Sequence, residues 1–293
     1  MDNKVLAELT SKTTSESRMR PTIRQSSADK PRFPIGKYTL FTVSAFTFLL
    51  MATPIAVLIF TGIASHAWEG LPNSSIILNA IVLSFISTLA VVGMTAILGT
   101  PLSFVLSRYR FRGKQLVSLF IELPIVMPPA VAGLALLLTF GRRGVIGAPL
   151  SELGIIIPFS IVAVIIAQFF ISAPFYIRSA QVGFSGIPTE IEDAARVDGA
   201  SGWLMFWYIT LPMAWRALIS GMILSWARAL GEFGATILFA GNLQGRTQTM
   251  PLLVYSVFER DISAAIWTGL ILIILALIAL FLSQWFARTQ DRL

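Results

Sequence analysis

One polar segment carries residues whose types and spacing suit the binding of another protein. It covers residues 190–199 and is followed by Ile209-Thr-Leu-Pro212. Thr189 with Glu192 predicts a capping box at a helix start, and Gly199 favours a left-handed residue at the helix end. Such a helix, about three turns long, would let another surface approach its small alanines closely. Its charged side chains would fix the register of that surface.

A second polar constellation, Arg228-Ala-Leu-Gly-Glu232, lies in an apolar segment. A charge in a membrane costs about 3 kcal/mol or more on insertion scales. Residues four apart share one helix face, so these two charges can pair. The pair is either a structural contact between helices or part of a polar translocation path, and the path is favoured because intramembrane charges usually mark pathways. Glycines there permit a helix break or close packing, so the predicted path residues are Arg228, Gly231, Glu232 and Gly234.

Composition excludes several kinds of chemistry. The chain has 293 residues, of which 55% are hydrophobic and 13% charged, the profile of a polytopic membrane protein. With no cysteine and His66 as the single histidine, thiolate sites, histidine-cluster metal sites and a Ser-His-Asp triad are excluded within one chain. The sequence has no GxxxxGK[ST] phosphate-binding loop, so ATP-driven work would need another polypeptide. We therefore expect a transport subunit without a cofactor rather than an enzyme.

Six apolar segments can position these residues. They lie near 39–63, 76–107, 115–140, 155–179, 214–241 and 263–286, and each approaches the roughly 20 residues that cross a membrane as a helix. Prolines in four of them indicate kinks or, as the alternative, a gate. Residues 1–37 have few large apolar side chains and predict a flexible basic cytoplasmic tail. Residues 38–293 form the predicted transmembrane domain, with a cytoplasmic loop at about 185–212.

Basic residues predict the orientation. With both termini in the cytoplasm, the inner segments hold 17 of the 22 Lys and Arg residues. The outer loops then hold Arg142, Arg143, Arg246 and Arg260, and Arg228 lies inside a span. This bias agrees with the positive-inside rule and predicts a multi-pass protein of the cell membrane. It also places the polar segment in the cytoplasm. Glu122, in the third apolar segment, is given no role.

The polar segment resembles the EAA loop of ABC importer permeases. That pattern, Glu-Ala-Ala, three residues, Gly, nine residues and Ile-x-Leu-Pro, falls here on Asp193-Ala-Ala195, Gly199 and Ile209-Thr-Leu-Pro212. Asp193 replaces the pattern's Glu, but Glu192 stands beside it. In that family the loop is a coupling helix that sits in a cleft of a separate ATPase subunit. The resemblance thus predicts coupling roles for Glu192, Asp193, Ala194, Ala195, Arg196, Asp198, Gly199, Ile209, Leu211 and Pro212.

From about residue 75 to the end, the chain also resembles molybdate importer permeases. The segments that carry this resemblance are 123–129, 141–147, 229–236 and 241–251. It implies an all-α polytopic membrane protein with six transmembrane helices and the type I, methionine-importer-like permease fold. The implied partners are two ABC ATPase subunits, a second copy of this permease, an external oxyanion-binding protein and membrane lipid, with no nucleic acid. The implied cargo is molybdate, with tungstate as a second substrate.

Three alternatives follow from the same residues. Sulfate and thiosulfate permeases have similar sequences in the fifth apolar segment and the outer loop, so their anions are the alternative cargo. An ion-coupled secondary carrier would need no ATPase, but such a carrier is expected to have repeat symmetry and more intramembrane titratable groups. A membrane-embedded enzyme is disfavoured because the chain has no set of His or Cys residues.

Overall fold

The computed structural model describes residues 36–64 and 71–289. The chain divides into two units, residues 1–55 and residues 56–293. Of the predicted tail, only Gly36 and Lys37 fall within the described residues, at the start of the first helix. In the parts of the chain that the structure describes, every regular element is a helix, which confirms the predicted all-α class.

The helices are numbered here in chain order. They are α1 (Gly36–Ala64), α2 (Ser74–Arg108), α3 (Lys114–Val126), α4 (Pro129–Phe140), α5 (Gly147–Glu152), α6 (Ile161–Ser185), α7 (Thr189–Val197), α8 (Gly202–Met205), α9 (Leu211–Leu230), α10 (Gly234–Phe239), α11 (Met250–Phe258) and α12 (Ile262–Thr289). A π-helical turn, Phe206–Thr210, joins α8 to α9 without a break.

Four described helical runs are long and apolar enough to cross a membrane. They are Tyr38–Ala64, Ser74–Arg108, Ile161–Ser185 and Gly202–Leu230. The pair α3 and α4 makes a fifth if it is counted as one bent span. The apolar part of α12 within the described residues, Ile262–Ile278, is shorter. The count of six spans therefore stays a prediction.

The third apolar segment is two helices rather than one straight span. The axes of α3 and α4 differ by 119°, and the break lies at Met127 and Pro128, which have extended backbone angles. Pro128 and Pro129 supply no N–H to the preceding turn, and a residue before proline disfavours the helical conformation. The prolines that predicted a kink thus produce a sharp bend.

Two other boundaries differ from the prediction. The sequence predicts the fourth segment at 155–179, but α6 begins only at Ile161. Ser160 is its N-cap residue, and the Ser160 hydroxyl accepts a hydrogen bond from the N–H of Ala163. The fifth was expected at 214–241, yet its helical run starts at Gly202 and is interrupted between Leu230 and Gly234. Hydropathy locates the apolar middle of a helix and misses a polar start, a side-chain cap or an internal break.

Helix α6 lies at the centre of the second unit. Its first half packs with α4 and α10, and its second half with α2 and α9. Polar contacts fix the second half, because Ser103 donates to the carbonyl of Ile177 at 3.2 Å. Ser179 donates to the carbonyl of Ala217 at 2.7 Å. The end of α6, from which the polar segment leaves, is therefore held firmly.

Candidate functional site

Helix α7 is the polar segment that the sequence singled out. It spans Thr189–Val197, and Pro188 occupies the N-cap position without a side-chain cap. The predicted capping box is therefore wrong, since Thr189 is already inside the helix. The Glu192 side chain does not fold back onto the helix start because it has stronger partners elsewhere.

Glu192 is buried, with 5% of its surface exposed. Its Oε1 atom lies 2.7 Å from the Arg108 guanidinium at the end of α2 and accepts a hydrogen bond from Thr210 at 3.2 Å. Arg108 also donates to the carbonyl of Ile187 at 3.3 Å. We call Arg108, Glu192 and Thr210 the clamp. It joins α7 to α2 and to the π-helical turn before α9.

Most other residues of α7 face outward. Asp193 and Arg196 form an exposed ion pair at 2.6 Å, and Val197 is 88% exposed. Ala194 is exposed and Ala195 is buried. The helix thus offers a small, charged outer surface while Ala195 and Glu192 hold its inner side. An exposed ion pair contributes less than about 1 kcal/mol to the free energy of folding. Folding therefore depends little on the outer surface of α7, which is available to bind another protein.

The predicted helix end at Gly199 is confirmed. Gly199 has a φ of +87°, its N–H donates to the carbonyl of Arg196 at 3.1 Å, and the N–H of Ala200 donates to that of Ala195 at 2.9 Å. These two bonds form a Schellman motif, which requires a left-handed residue at this position. A Cβ on Gly199 would meet no atom within 4 Å, so the space beyond it is open.

The rest of the Ile-x-Leu-Pro pattern shapes the start of α9. Ile209 lies in the π-helical turn, and Pro212 is the second residue of α9, directly after that turn. Leu211 packs against the apolar cluster around Phe184. A π turn inserts an extra residue, and this turn ends at Thr210, which reaches Glu192. These residues therefore support the clamp from behind α7.

The second constellation forms at the break between α9 and α10. Arg228 and Glu232 pair at 2.7 Å, as their spacing predicted. The other Glu232 oxygen accepts a hydrogen bond from the N–H of Ala235 at 2.9 Å, at the start of α10. Glu232 is 1% exposed, whereas 33% of the Arg228 side chain is exposed. One buried carboxylate thus ties two helix segments together and holds a partly accessible guanidinium.

The break in the fifth span meets the bend in the third. A Cβ on Gly234 would overlap the Pro129 side chain, and one on Gly133 would lie 2.8 Å from Leu238 Cβ. These two glycines therefore let α4 and α10 pack at very short distance. Gly231 differs, because its φ is −87° and a Cβ there would meet only the Ala227 carbonyl at 3.7 Å. Close packing explains Gly234, while nothing in the structure requires glycine at Gly231.

We expect Gly234→Val to lower the free energy of unfolding by about 1–3 kcal/mol or more, the usual effect of overpacking a tight contact. Gly231→Ala is the matched control and should change it by less than about 0.5 kcal/mol. Thermal unfolding in detergent, followed by tryptophan fluorescence, compares the two. Equal midpoints for both variants would contradict the close-packing role of Gly234.

Sequence reasoning missed several residues of these sites. Arg108, Thr210 and Gly133 were not predicted as site residues, although Arg108 begins a basic turn and Gly133 interrupts an apolar run. Pro129 was predicted only as part of a kink. Glu122, which had no assigned role, pairs with Arg178 at 3.0 Å. Within the residues that the structure describes, no group of three His, Asp or Glu side chains could hold a metal ion.

Known proteins share this fold. The chain is similar to a bacterial ABC transporter involved in the import of the acidic polysaccharide alginate, with a TM-score of 0.67, 17% identity, and coverage of 86% of this chain and 94% of that one. It is also similar to the MetNI methionine ABC transporter in an inward-facing conformation, with a TM-score of 0.55, 17% identity, and coverage of 73% and 93%. The fold is therefore that of the type I ABC importer permeases.

Other known proteins are more similar to this chain in sequence than these two transporters are. The chain is 39% identical to the probable transport system permease protein NifC of Clostridium pasteurianum, over 85% of this chain and 87% of that protein. It is 39% identical to the molybdenum transport system permease protein ModB of Escherichia coli K12, over 72% and 93%. It is 35% identical to the sulfate transport system permease protein CysW of Synechococcus elongatus, over 67% and 68%.

The residues that match a known protein family include the clamp and both helix breaks. Residues 99–292 match the family described as the binding-protein-dependent transport system inner membrane component. This range includes α7, its Schellman end and the Arg228–Glu232 pair. The match agrees in position with the EAA-like spacing and in kind with the relatives above. The chain therefore belongs to the family of binding-protein-dependent transport system inner membrane components.

Proposed function

We propose that this chain is the membrane subunit of an ATP-driven importer that carries an oxyanion, molybdate in the first place and tungstate as a close analogue. The observation that carries the proposal is the exposed helix α7, clamped to α2 and α9 through the buried Glu192. A short outward helix fixed to two long apolar helices can transmit the movement of a docked partner into the membrane. Relatives named as molybdenum transport permeases support the cargo.

Two ATPase subunits bind α7, one on each copy of a permease dimer, and ATP binding draws them together. Asp193, Ala194, Arg196, Asp198 and Gly199 form the docking surface. Glu192 and Ala195 hold α7 from the inside, and Ile209, Leu211 and Pro212 support the turn behind it. Hydrolysis belongs to the ATPase subunits, and this chain converts their approach into alternating access.

The path runs past the break in the fifth span, where Arg228, Gly231, Glu232 and Gly234 lie. Glu232 pairs with Arg228 and caps α10, so the guanidinium is held in place at a helix discontinuity. Its accessible part offers an attractive potential to an anion, and the neighbouring carboxylate keeps that attraction too weak to trap the cargo. Charged residues within apolar spans usually mark such pathways.

The proposed membrane topology is the one that the distribution of basic residues predicts. Both termini and α7 are in the cytoplasm, and an external oxyanion-binding protein delivers the cargo from the other side. Residues 38–293 form the permease domain, with the coupling loop at about 185–212. Sulfate is the second candidate cargo, because a relative named as a sulfate permease is 35% identical.

ATP hydrolysis by the reconstituted transporter tests this function. The binding protein is loaded with molybdate, tungstate or sulfate, and the ATPase rate is compared with that of the unloaded protein. We expect stimulation by molybdate and tungstate. Stimulation by sulfate alone would keep the mechanism and change the cargo, whereas failure of an ATPase subunit to bind the permease would overturn the coupling role of α7.

Gly199→Asp tests the docking surface of α7. The new side chain projects into open space, so we expect capture of the ATPase subunit to weaken about tenfold or more, as for a central interface residue. Gly154→Asp is the matched control, because Gly154 also has a positive φ, of +81°, and open space around its Cβ. Both variants carry the same kind of backbone strain, but Gly154 lies between α5 and α6. Equal capture by both would contradict the docking role.

A further inference from the structure

A polar cleft that is separate from the clamp and from the Arg228–Glu232 pair lies beside the clamp, on the outside of the helix bundle. It is a cleft of about 450 Å³ between the end of α2, the start of α3 and the end of α6. Its polar lining consists of Ser107, Lys114, Ser118, Arg178, Gln181 and Ser185. None of these residues belongs to the coupling surface or the path described above.

The cleft carries a positive charge. Lys114 and Arg178 line it, and the nearby Glu122 pairs with Arg178 at 3.0 Å. Even with this partner, 66% of the Arg178 side chain remains exposed, so it has N–H donors to spare. The ammonium of Lys114 donates to the carbonyl of Tyr109 at 3.3 Å. This hydrogen bond holds the Lys114 side chain against the turn between α2 and α3. Two cations, one carboxylate and several hydroxyl and amide groups suit a phosphate-like anion.

The surroundings of the cleft are those of a membrane–water boundary. On one side, the exposed apolar side chains are Val182 of α6, which lines the cleft, and Ile125, which lies seven residues after Ser118 on the same face of α3. On the other side, Lys114 also lines a second cleft with Arg110 and the partly exposed ring of Phe111. Basic and aromatic side chains next to an apolar helix face are typical of residues at lipid headgroups. A ligand that fits both sides has an anionic head and an apolar body.

We propose that this cleft binds the phosphate of an anionic phospholipid from the leaflet at the α7 end of the molecule. Lys114 and Arg178 contact the phosphate, and an acyl chain lies along Val182 and Ile125. Basic pockets between membrane helices bind such headgroups by the same combination of charge and shape. A free oxyanion would satisfy the two cations but would leave the apolar face uncovered, so the lipid is the better fit.

The position of the cleft gives the lipid a structural consequence. Ser107 precedes Arg108 in the sequence, and Ser185 lies two residues before Ile187, whose carbonyl accepts from Arg108. A lipid in the cleft therefore packs beside the clamp. The proposal is independent of the cargo, because it concerns a surface that neither the docking face nor the path uses.

Lipid binding by the purified full-length chain tests the proposal. The protein is placed in phosphatidylcholine nanodiscs containing a minority of phosphatidylglycerol, and the phosphatidylglycerol retained per chain is counted by native mass spectrometry. We expect Lys114→Gln and Arg178→Gln each to lower its affinity about fivefold, the effect of one basic group at an anionic surface. Arg112→Gln is the charge-matched control, since Arg112 lies in the same turn but lines neither cleft.

A neutral pair of variants separates the cleft from general attraction. Ser118→Phe fills the cleft without changing charge and should abolish retention, whereas Val117→Phe, on the adjacent residue outside the cleft lining, should not. Equal losses in Arg112→Gln and Lys114→Gln, or full retention in Ser118→Phe, would overturn the proposal. Binding of phosphate or molybdate in pure phosphatidylcholine discs, lost in Lys114→Gln, would also overturn it by assigning the cleft to a soluble anion. Gel filtration of each variant confirms that it is folded before it is compared.

Discussion

Glu192→Ala is expected to lower the free energy of unfolding by about 3–5 kcal/mol, the range for breaking a buried ion pair by removing one partner. The substitution leaves the Arg108 guanidinium buried without its carboxylate and removes the acceptor of Thr210. Because α7 then loses its main attachment to α2 and α9, we also expect capture of the ATPase subunit to fall below detection. Thermal unfolding in detergent and co-purification measure the two effects.

Asp193→Ala provides the matched control, because it removes the neighbouring carboxylate from an exposed pair. Its effect on the free energy of unfolding should stay below about 1 kcal/mol. The two variants therefore separate a residue that positions α7 from one that faces the partner. If Glu192→Ala unfolds at the same temperature as Asp193→Ala, the clamp does not hold α7.

Glu232→Ala is expected to have the second large effect, with a loss of about 3 kcal/mol or more in the free energy of unfolding. It leaves Arg228 unpaired inside an apolar span and removes the acceptor of the Ala235 N–H at the start of α10. We expect molybdate uptake to be lost as well. Glu122→Ala is the control for stability, since that carboxylate also pairs with an arginine on an apolar helix but is far more exposed.

A double substitution separates a structural role of this pair from a role in the path. Arg228→Met with Glu232→Leu replaces both charges by apolar groups of similar size, which often restores stability. If the guanidinium attracts the anion, uptake stays low even though the unfolding midpoint recovers. Recovery of both quantities would show that the pair is a structural contact only and would remove Arg228 from the path.

Local sequence patterns predicted the features that depend on near neighbours. The Arg228–Glu232 pair follows from their separation by four residues on one helix, and the glycine end of α7 follows from a single backbone requirement at Gly199. The bend after Met127 follows from two consecutive prolines. In each case the cause lies within one turn of its effect, so no tertiary contact is needed to recognise it.

The capping box at Thr189 shows where local reasoning fails. Thr189 and Glu192 have the spacing of the motif, but Glu192 finds Arg108, which is 84 residues away in sequence. A buried, charge-assisted hydrogen bond is stronger than a solvated cap, so the tertiary partner takes the side chain. Pro188 then occupies the N-cap position, and no side chain of that residue caps the helix start.

The sequence by itself determined that this is a polytopic helical membrane protein with a short polar helix between two apolar segments, because apolar segments, basic flanks and a spaced motif are properties of the chain read in order. Only the tertiary structure decided which residue holds that helix and where the third and fifth spans touch. The clamp and the contact of Gly234 with Pro129 join residues from distant helices. Such contacts depend on how the helices pack, and no local spacing encodes which side chains packing brings together.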